Sequence, residues 1–380
     1  MLPRAEAEFV AELSSLFERV YIVGFCRAGE AIASYDGSLN ISERIHVYPL
    51  SCSEGQQEGL WKKVLRYAQS MIRMVPALQL SDTSYFFMPS YINLAGALVA
   101  LVRRRRYALY VRGEWHGYPR FFRVFHRMVA RHAIFLIVTG PLFRARLAPL
   151  NPAVELVRPM TGFTLRVSAG LHRKFDPLSR VIVAYIGTLT QSKGIADAID
   201  MMTIIRDRGL NAVLMVAGGG HLDFVDALRR KVTEVGLEEH VSFLGHVTDA
   251  EQLRRTYELA DIFVCPTIYA EGVPRVVYEA MASGTAIVAT NIAGAAGILK
   301  PEENFIEVPS GSPVALADAV TRLALDHHLR ARLSRNAFYA VRDIYEQVGH
   351  ASHAEQVKNA LLRASENTGA SSDRHSDRGG

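Results

Sequence analysis

Two carboxylates and a glycine surround the start of one helical segment in the second half of the chain. A β-branched strand ends near Cys265, a loop follows, and a helix opens at Pro274. Proline suits the first turn of a helix, and the free amides there bind phosphate with help from the helix dipole. Gly272 lets a ligand approach the backbone closely. Glu271 precedes the helix and Glu279 lies about one and a half turns inside it. Two carboxylates beside a phosphate are unfavourable unless they bind hydroxyls, so the segment predicts a site for a phosphate ligand that carries sugar hydroxyls.

The same segment resembles the Glu-x7-Glu motif of retaining family-four glycosyltransferases, which have the GT-B fold. The motif reads Glu-Gly-apolar, then five intervening residues, then Glu-Ala-Met-Ala-x-Gly. The resemblance extends over about 175–350. It implies that Glu271 binds hydroxyls of the donor sugar and that Glu279 binds the ribose of the nucleotide. It also implies that backbone amides of the intervening stretch hold the sugar and the diphosphate, a stretch made of Gly272, Val273, Pro274, Arg275 and Val276. The alternative is that Glu279 merely faces solvent on its helix.

A second segment follows the first strand of the second half and carries one cation, Lys193, after Gly187 and Thr188. By the same resemblance these three residues bind the donor, and Lys193 takes part in catalysis by neutralising the diphosphate leaving group. The family has an arginine where this chain has Thr188, so one expected cation is missing. The alternative for Lys193 is a solvated lysine at a helix terminus.

Glycines end two further strands of the second half. Gly218 and Gly219 follow one strand, and Gly245 follows the next. The resemblance implies nucleotide contacts for them, whereas turn chemistry explains them about as well. His246 is interpreted as structural rather than catalytic. After the last strand, residues 291–299 lack the glutamate that the family often carries, which indicates a different donor preference or a weakened site.

Continuous β-branched runs alternate with helical patterns, which is typical of parallel sheets covered on both faces. With the resemblance, this predicts an α/β protein of the GT-B fold, with two doubly wound Rossmann-like domains facing across a cleft. The predicted strands are 20–25, 45–50, 84–88, 108–111, 133–139, 181–186, 212–217, 241–244, 262–266 and 286–290. The predicted parts are an acceptor-side domain (1–158), a nucleotide-sugar-binding domain (159–340), a C-terminal helix expected to pack back on the first domain (341–363) and a disordered tail (364–380).

The loop after strand 108–111 combines a cation, a carboxylate, an imidazole and two aromatic side chains. It is expected to open toward the cleft, and related transferases place an important histidine or charged residue there. Arg112, Glu114 and His116 are therefore the acceptor-side catalytic candidates, and the alternative is a turn held by local hydrogen bonds. The family usually opens with a strand and a glycine-rich loop, whereas this chain begins with a helix-like segment, so that strand is absent or the start is set too late.

The next helical segment carries Arg120, Arg123, Arg127 and Arg131 on one stripe. Residues 1–160 carry 20 Lys and Arg against 12 Asp and Glu, whereas the remainder carries 23 against 26. A basic first half predicts an anionic partner. The stripe is either a solvated face or a docking surface for anionic lipid or a phosphorylated acceptor, to which Arg103–Arg106 would add. No nucleic-acid-binding module is recognisable, so nucleic acid is not expected as a partner.

Composition places the chain among soluble globular proteins, since 49% of the 380 residues are apolar and 21% are charged. Three cysteines are too few for a disulfide framework, which predicts a cytoplasmic protein with reduced thiols. The stretch 83–102 has no charge and could span a membrane, but Pro89 and Ser90 divide it, which favours a strand and a helix. We expect peripheral contact with the inner membrane face through the basic domain.

These patterns predict a retaining glycosyltransferase that moves a sugar from a nucleotide-diphosphate-sugar to an acceptor hydroxyl, in polysaccharide or glycolipid synthesis. The sequence has no Asp-x-Asp motif and no cluster with metal-ligand spacing, so no metal or other cofactor is expected. The resemblance implies that the departing phosphate helps to deprotonate the acceptor. The alternatives are a non-catalytic GT-B-like binding or scaffold protein and a GT-B phosphorylase or epimerase.

Overall fold

The computed structural model describes residues 4–26, 44–51, 60–112, 119–157, 180–268, 274–291, 297–349 and 351–376. The chain divides into two compact units. One comprises Met1–Met160 with His350–Gly380, and the other comprises Thr161–Gly349. The end of the chain therefore belongs to the first unit, although the second unit lies between the two parts in sequence.

The first unit has two parallel sheets in its described residues. One pairs β1 (Val20–Cys26) with β2 (Ile45–Ser51), and the other has four strands in the order β3, β4, β5, β6. These are β3 (Thr83–Met88), β4 (Arg106–Val111), β5 (Leu136–Val138) and β6 (Val154–Leu156). The helices are α1 (Arg4–Leu16), α2 (Leu60–Leu80), α3 (Tyr91–Val102), α4 (Arg120–His132) and α5 (Pro141–Leu147). The sequence predicted a longer β5 and did not predict β6, because three residues are too few to show a strand period.

The uncharged stretch 83–102 folds as β3 and α3, separated by Pro89 and Ser90. This confirms the prediction of a strand and a helix for that stretch. Among the helices of the described residues, none has the length and apolar character that a membrane crossing needs.

The second unit is built on one six-stranded parallel sheet in the order β12, β11, β10, β7, β8, β9. The strands are β7 (Val181–Ile186), β8 (Ala212–Ala217), β9 (Val241–Gly245), β10 (Ile262–Cys265), β11 (Ala286–Thr290) and β12 (Ile306–Val308). The helices are α6 (Ile195–Asp207), α7 (Leu222–Glu234), α8 (Ala250–Leu259), α9 (Arg275–Ala282), α10 (Pro313–Leu325) and α11 (His327–Val348).

Helices cover both faces of this sheet, because successive strand residues point to opposite sides. Val183 and Val264 pack into one core with α6, α7 and α10, whereas Ala184 and Phe263 pack into another with α8, α9 and α11. The near-continuous apolar strands of the second half are explained by this double burial.

The order of the strands reverses between β7 and β10. From β7 the chain moves outward to β8 and β9, then crosses to β10 on the other side and continues to β11 and β12. In open parallel sheets, ligands bind outside the carboxyl ends of the strands at such a switch point. The loops after β7 and β10 are therefore the ones that the topology places at a ligand site.

Helix α12 (His353–Ser376) packs on the first unit through α1. Val357 shares a core with Phe9 and Tyr110, and Tyr85 Oη lies 3.1 Å from His353 Nε2. The helical stretch expected at 341–363 is divided: α11 ends at Val348 and is capped by Gly349, whose φ is +80°, so residues 341–348 lie in the second unit. Helix α12 continues through Ser376, into the segment that was expected to be disordered.

Candidate functional site

The loop after β7 is in backbone contact with the loop after β10. Gly194 adopts a left-handed conformation with φ +70°, and a Cβ atom there would lie 1.9 Å from the carbonyl oxygen of Pro266. The Ile268 amide donates a hydrogen bond of 2.9 Å to the carbonyl of Ser192. Only glycine allows this approach. Lys193 lies between the two contacts, at the end of a short 3-10 helix (Gln191–Lys193), so its backbone is held beside the β10 loop.

The glycines that follow β7 and β8 and the glycine that ends β9 bring the carboxyl ends of these three strands into backbone contact. A Cβ atom at Gly218 would lie 1.8 Å from the carbonyl oxygen of Gly187. The Gly218 amide donates to the Gly245 carbonyl at 2.8 Å, and the Leu189 amide donates to the Gly219 carbonyl at 2.8 Å. These contacts give all four glycines a structural role, and they leave a carboxyl edge that is lined by backbone.

Helix α9 begins directly after Pro274, which takes an extended conformation with φ −67° and ψ 133°. The amide of Val277 donates to the Pro274 carbonyl at 3.0 Å, which tightens the first turn. Arg275 and Val276 are half-buried in that turn. The positive end of the helix dipole therefore lies where the chain arrives from β10.

Glu279 is buried inside α9, with 3% of its surface exposed. The Tyr257 hydroxyl on α8 donates a hydrogen bond of 2.9 Å to Glu279 Oε2. This burial excludes the interpretation of Glu279 as a solvent-facing residue. A buried carboxylate is costly unless it is hydrogen-bonded or charge-paired, and Tyr257 supplies one such bond.

Tyr257 remains a hydrogen-bond donor over the whole working pH range. Burial raises the pKa of its phenol well above the usual range, and the carboxylate of Glu279 raises it further, while Arg275 acts in the opposite direction. Thr285 fixes the same tyrosine by donating a bond of 2.9 Å to its backbone carbonyl. The sequence analysis did not find Tyr257, because its pairing with Glu279 joins two helices and leaves no local pattern.

Thr188 stands where the resemblance expects an arginine, and its side chain is exposed. Its carbonyl accepts a bond of 3.1 Å from the Tyr185 hydroxyl, which fixes the loop at this point. The position therefore keeps its backbone geometry while it carries no charge.

A cavity of ≈ 290 Å³ opens at the carboxyl ends of β10, β11 and β12. Ile268 lines it and also bonds to Ser192, so the cavity adjoins the Lys193 loop. The Thr290 hydroxyl donates to the Thr267 carbonyl at 2.7 Å and holds two of its walls together. The polar lining consists of Thr267, Thr290, Asn291, Glu307 and Ser310.

Most of the predicted donor-site residues lie at the carboxyl ends of strands of the second sheet, or in and next to α9. These are Gly187, Thr188, Lys193, Gly218, Gly219, Gly245, Pro274, Arg275, Val276 and Glu279. Glu271, Gly272 and Val273, together with Glu114 and His116, lie outside the residues that the structure describes. No group of three or more metal-ligating side chains is found in the described parts of the chain.

Arg112 lies in the first unit, exposed just after β4. Its guanidinium is 5.2 Å from the centre of the Phe87 ring and 5.7 Å from that of Tyr110. Cation–π attraction therefore orients this side chain over the aromatic end of the sheet.

A model of the family described as glycosyl transferases group 1 matches residues 172–339. The match covers less than half of the chain. The matched part contains β7 to β12 and every predicted donor-site residue.

An uncharacterized glycosyltransferase of Methanocaldococcus jannaschii is 34% identical over 188 residues, which are 50% of this chain and 46% of the relative. The capsular polysaccharide biosynthesis glycosyltransferase CapM of Staphylococcus aureus is 28% identical over 202 residues, which are 52% of this chain and 51% of the relative. The chain spans about half the length of the curated relatives it matches.

Solved structures resemble the chain over almost its whole length. A sucrose-phosphate synthase of Thermosynechococcus elongatus has a TM-score of 0.67 at 19% identity and covers 94% of this chain and 91% of its own. Anabaena HepE, solved with UDP and glucose, has a TM-score of 0.61 at 18% identity and covers 90% of this chain and 94% of its own. These likenesses confirm the predicted fold class, an α/β protein of the GT-B type with two Rossmann-like domains.

The contact between Gly194 and Pro266 yields a stability prediction. We expect Gly194→Ala to cost at least about 2 kcal/mol more than Gly209→Ala, since a left-handed alanine costs roughly 1–2 kcal/mol at either position and only Gly194 meets backbone. Gly209 is the matched control, with φ +76° and no atom within 4 Å of an added Cβ. Urea unfolding of the two variants measures the difference, and equal losses would refute the contact.

Proposed function

We propose that this chain is a retaining glycosyltransferase that takes its sugar from a nucleotide-diphosphate-sugar bound at the carboxyl edge of the second sheet. One observation supports the proposal: the Lys193 loop after β7 contacts the loop after β10, and the helix that follows β10 in sequence carries the buried, hydrogen-bonded Glu279. A carboxylate there suits ribose hydroxyls, and a lysine there suits a diphosphate. The match of residues 172–339 to the glycosyl transferases group 1 model supports the same conclusion.

The diphosphate is proposed to lie between Lys193 and the start of α9. Lys193 supplies the positive charge, and the first-turn amides of α9 supply preorganised dipoles that stabilise the leaving group. Because Thr188 carries no charge, these two elements take on most of that role. Glu271, Gly272 and Val273 are proposed to contact the donor sugar, and Gly187, Gly218, Gly219 and Gly245 to let the nucleotide approach backbone.

The proposed transfer breaks the bond between the anomeric carbon and the phosphate oxygen, and the electron pair leaves with the phosphate. The acceptor oxygen forms its bond on the same face of that carbon, and its proton passes to the departing phosphate oxygen. This route needs no enzyme nucleophile and is proposed to need no metal. The anomeric configuration of the first product, followed by NMR with a chelator present, tests retention and metal independence. An inverted product would contradict retention, and loss of activity in the chelator would contradict metal independence.

The acceptor is proposed to be a growing polysaccharide or a glycolipid. Two relatives support this by name, the capsular polysaccharide enzyme of Staphylococcus aureus and a GDP-mannose-dependent phosphatidylinositol monomannoside mannosyltransferase of Mycobacterium tuberculosis, 29% identical over 198 residues, or 50% of each chain. Arg112, Glu114 and His116 are proposed to contact the acceptor. The first unit is proposed to touch an anionic membrane from the cytoplasmic side, where the buried thiol of Cys265 stays reduced.

A panel of donors tests the function. We expect one of UDP-, GDP-, ADP- or dTDP-sugars to raise the unfolding temperature, because a ligand at 100 times its Kd adds about 2.7 kcal/mol of stability. Glu279→Gln keeps an acceptor for Tyr257 but loses the charge, and should weaken binding roughly 10- to 100-fold, since a hydrogen bond to a charged group contributes about 1.5–3 kcal/mol.

The matched control in that panel is Glu303→Gln, since Glu303 is exposed and pairs with Lys300 at 2.9 Å. It should bind the donor as the native chain does. No stabilisation by any donor, or equal binding by Glu279→Gln and the native chain, would contradict the proposed site and favour a non-catalytic scaffold.

Tyr257 yields a prediction about ribose recognition. Tyr257→Phe should lower the affinity for the accepted nucleoside diphosphate roughly fivefold, since a hydrogen bond contributes about 1 kcal/mol. The affinity for its 2′,3′-dideoxy counterpart should change much less, because that ligand has no hydroxyl for the reoriented Glu279. Titration calorimetry gives the ratio of the two affinities.

Thr285→Val is the control for Tyr257→Phe. It removes a buried hydrogen bond to the Tyr257 backbone without changing the phenol. Stability should therefore fall, while the ratio of the affinities for the nucleoside diphosphate and its dideoxy counterpart should equal that of the native chain. An unchanged ratio in Tyr257→Phe would mean that the tyrosine only packs the two helices together.

A further inference from the structure

Helix α4 presents an outward face on which basic and apolar side chains are mixed. Arg120, Val124, Arg127 and Arg131 follow one another at intervals of four, three and four residues, so they share one side of the helix. Phe121 flanks them on the same outer side. We call these five residues the α4 face.

The apolar members of the α4 face are held out in solvent. Phe121 is 67% exposed and Val124 is 63% exposed. The Phe121 ring packs edge-on against Phe125, with 4.7 Å between the ring centroids, and this contact leaves most of the Phe121 side chain exposed. Two large exposed apolar side chains next to three arginines offer the two attractions that hold a helix at a membrane surface, apolar burial and attraction to anionic lipid.

The opposite side of α4 is anchored firmly in the first unit. His126, Val129 and Ala130 are buried. The Tyr107 hydroxyl on β4 donates to the Val129 carbonyl at 2.9 Å, and Asn151 Nδ2 donates to the Ala130 carbonyl at 3.0 Å. The helix therefore cannot turn its outer face inward, so the exposure of Phe121 and Val124 is built into the fold.

The charge around this helix is almost entirely positive. Between Thr83 and Ala153 the sequence has eleven arginines and a single acidic residue, Glu114. Neither α3 nor α4 contains an aspartate or glutamate. A surface of this kind attracts phosphate-rich partners over distances of about a Debye length, roughly 8 Å at physiological salt.

The arginines after α3 divide into structural and available ones. Arg105 donates to the carbonyls of Leu78, Gln79 and Ser81, which ties α3 to the end of α2. Arg106 donates to the Ser365 hydroxyl on α12. These two guanidinium groups therefore serve the fold, whereas Arg103 and Arg104 are exposed and add to the positive charge near α4.

We propose that the α4 face is the surface by which this protein docks on an anionic lipid bilayer, with the arginines on the phosphate groups and with Phe121 and Val124 entering the acyl boundary. The inference deepens the proposed function by assigning the membrane contact to named residues. Helix α4 begins eight residues after Arg112 in the sequence, so docking there involves the part of the chain that follows this proposed acceptor residue.

A bilayer explains the α4 face better than a nucleic acid does. Arginines alone would suit either polyanion, but aliphatic Val124 has no ring to stack on a base. Burying apolar surface in lipid gains roughly 25 cal/mol per Å², whereas the same side chains would stay in water along a phosphate backbone.

Vesicle flotation of the full chain tests the proposal. The native protein should float with vesicles of phosphatidylcholine containing about one-third phosphatidylglycerol and should stay behind with phosphatidylcholine alone. Arg127→Glu/Arg131→Glu should reduce partitioning at least 25-fold, since each basic residue near such a surface raises it roughly fivefold. Phe121→Ser keeps every charge and should weaken binding at low and high salt alike.

The matched control is Arg230→Glu/Arg335→Glu, which makes the same charge change on exposed arginines of the second unit and should float as the native chain does. Donor-induced thermal stabilisation of the same variants reports the nucleotide site separately, so failure of docking and failure of the proposed function are distinguishable. The proposal is overturned if the native chain does not float, if the control loses as much as Arg127→Glu/Arg131→Glu, or if a single-stranded oligonucleotide binds the α4 face while vesicles do not.

Discussion

The close backbone approach between the loops after β7 and β10 is the constraint on which the candidate site depends. Parallel strands bring these loops side by side at the switch point, but Gly194 lets them touch and the Ile268–Ser192 bond holds them there. A side chain at position 194 would push the Lys193 loop away from the loop after β10. The glycines after β8 extend the same close packing across the sheet, so the ligand edge is a rigid backbone surface rather than a set of independent loops.

Burial separates the negative charge of Glu279 from the positive start of α9. Glu279 lies beneath the surface, where its charge is held by Tyr257, and the positive end of α9 lies above it. In the proposed complex, a diphosphate at the helix start and the carboxylate farther along the helix would repel each other if they were adjacent, but a ribose between them satisfies both. The proposed ligand therefore has its phosphates and its ribose hydroxyls bound by different parts of a single helix. In the first unit, arginines lie instead on the outer face of α4, and the proposed partner there is a surface rather than a ligand in a pocket.

The sequence predicted the second unit well, because its strands are continuous β-branched runs that end in glycine, proline or a polar residue. It missed β6 and β12, whose three residues are too short to show a period. Helical propensity across Gly349 hid the break between α11 and α12. The sequence placed Lys193 and Glu279 after the right strands, but it could not show that Glu279 is buried or that Tyr257 bonds to it, since both depend on how α8 packs against α9. In the same way, a run of four arginines does not reveal that Arg105 is bonded to three carbonyls.

The most direct test of this account is a crystal structure of the chain with the nucleoside diphosphate that stabilises it most. The account predicts ribose hydroxyls within hydrogen-bond distance of Glu279 and phosphate oxygens between Lys193 and the first turn of α9. A nucleotide bound elsewhere, or one bound at this edge with its ribose away from Glu279, would contradict it.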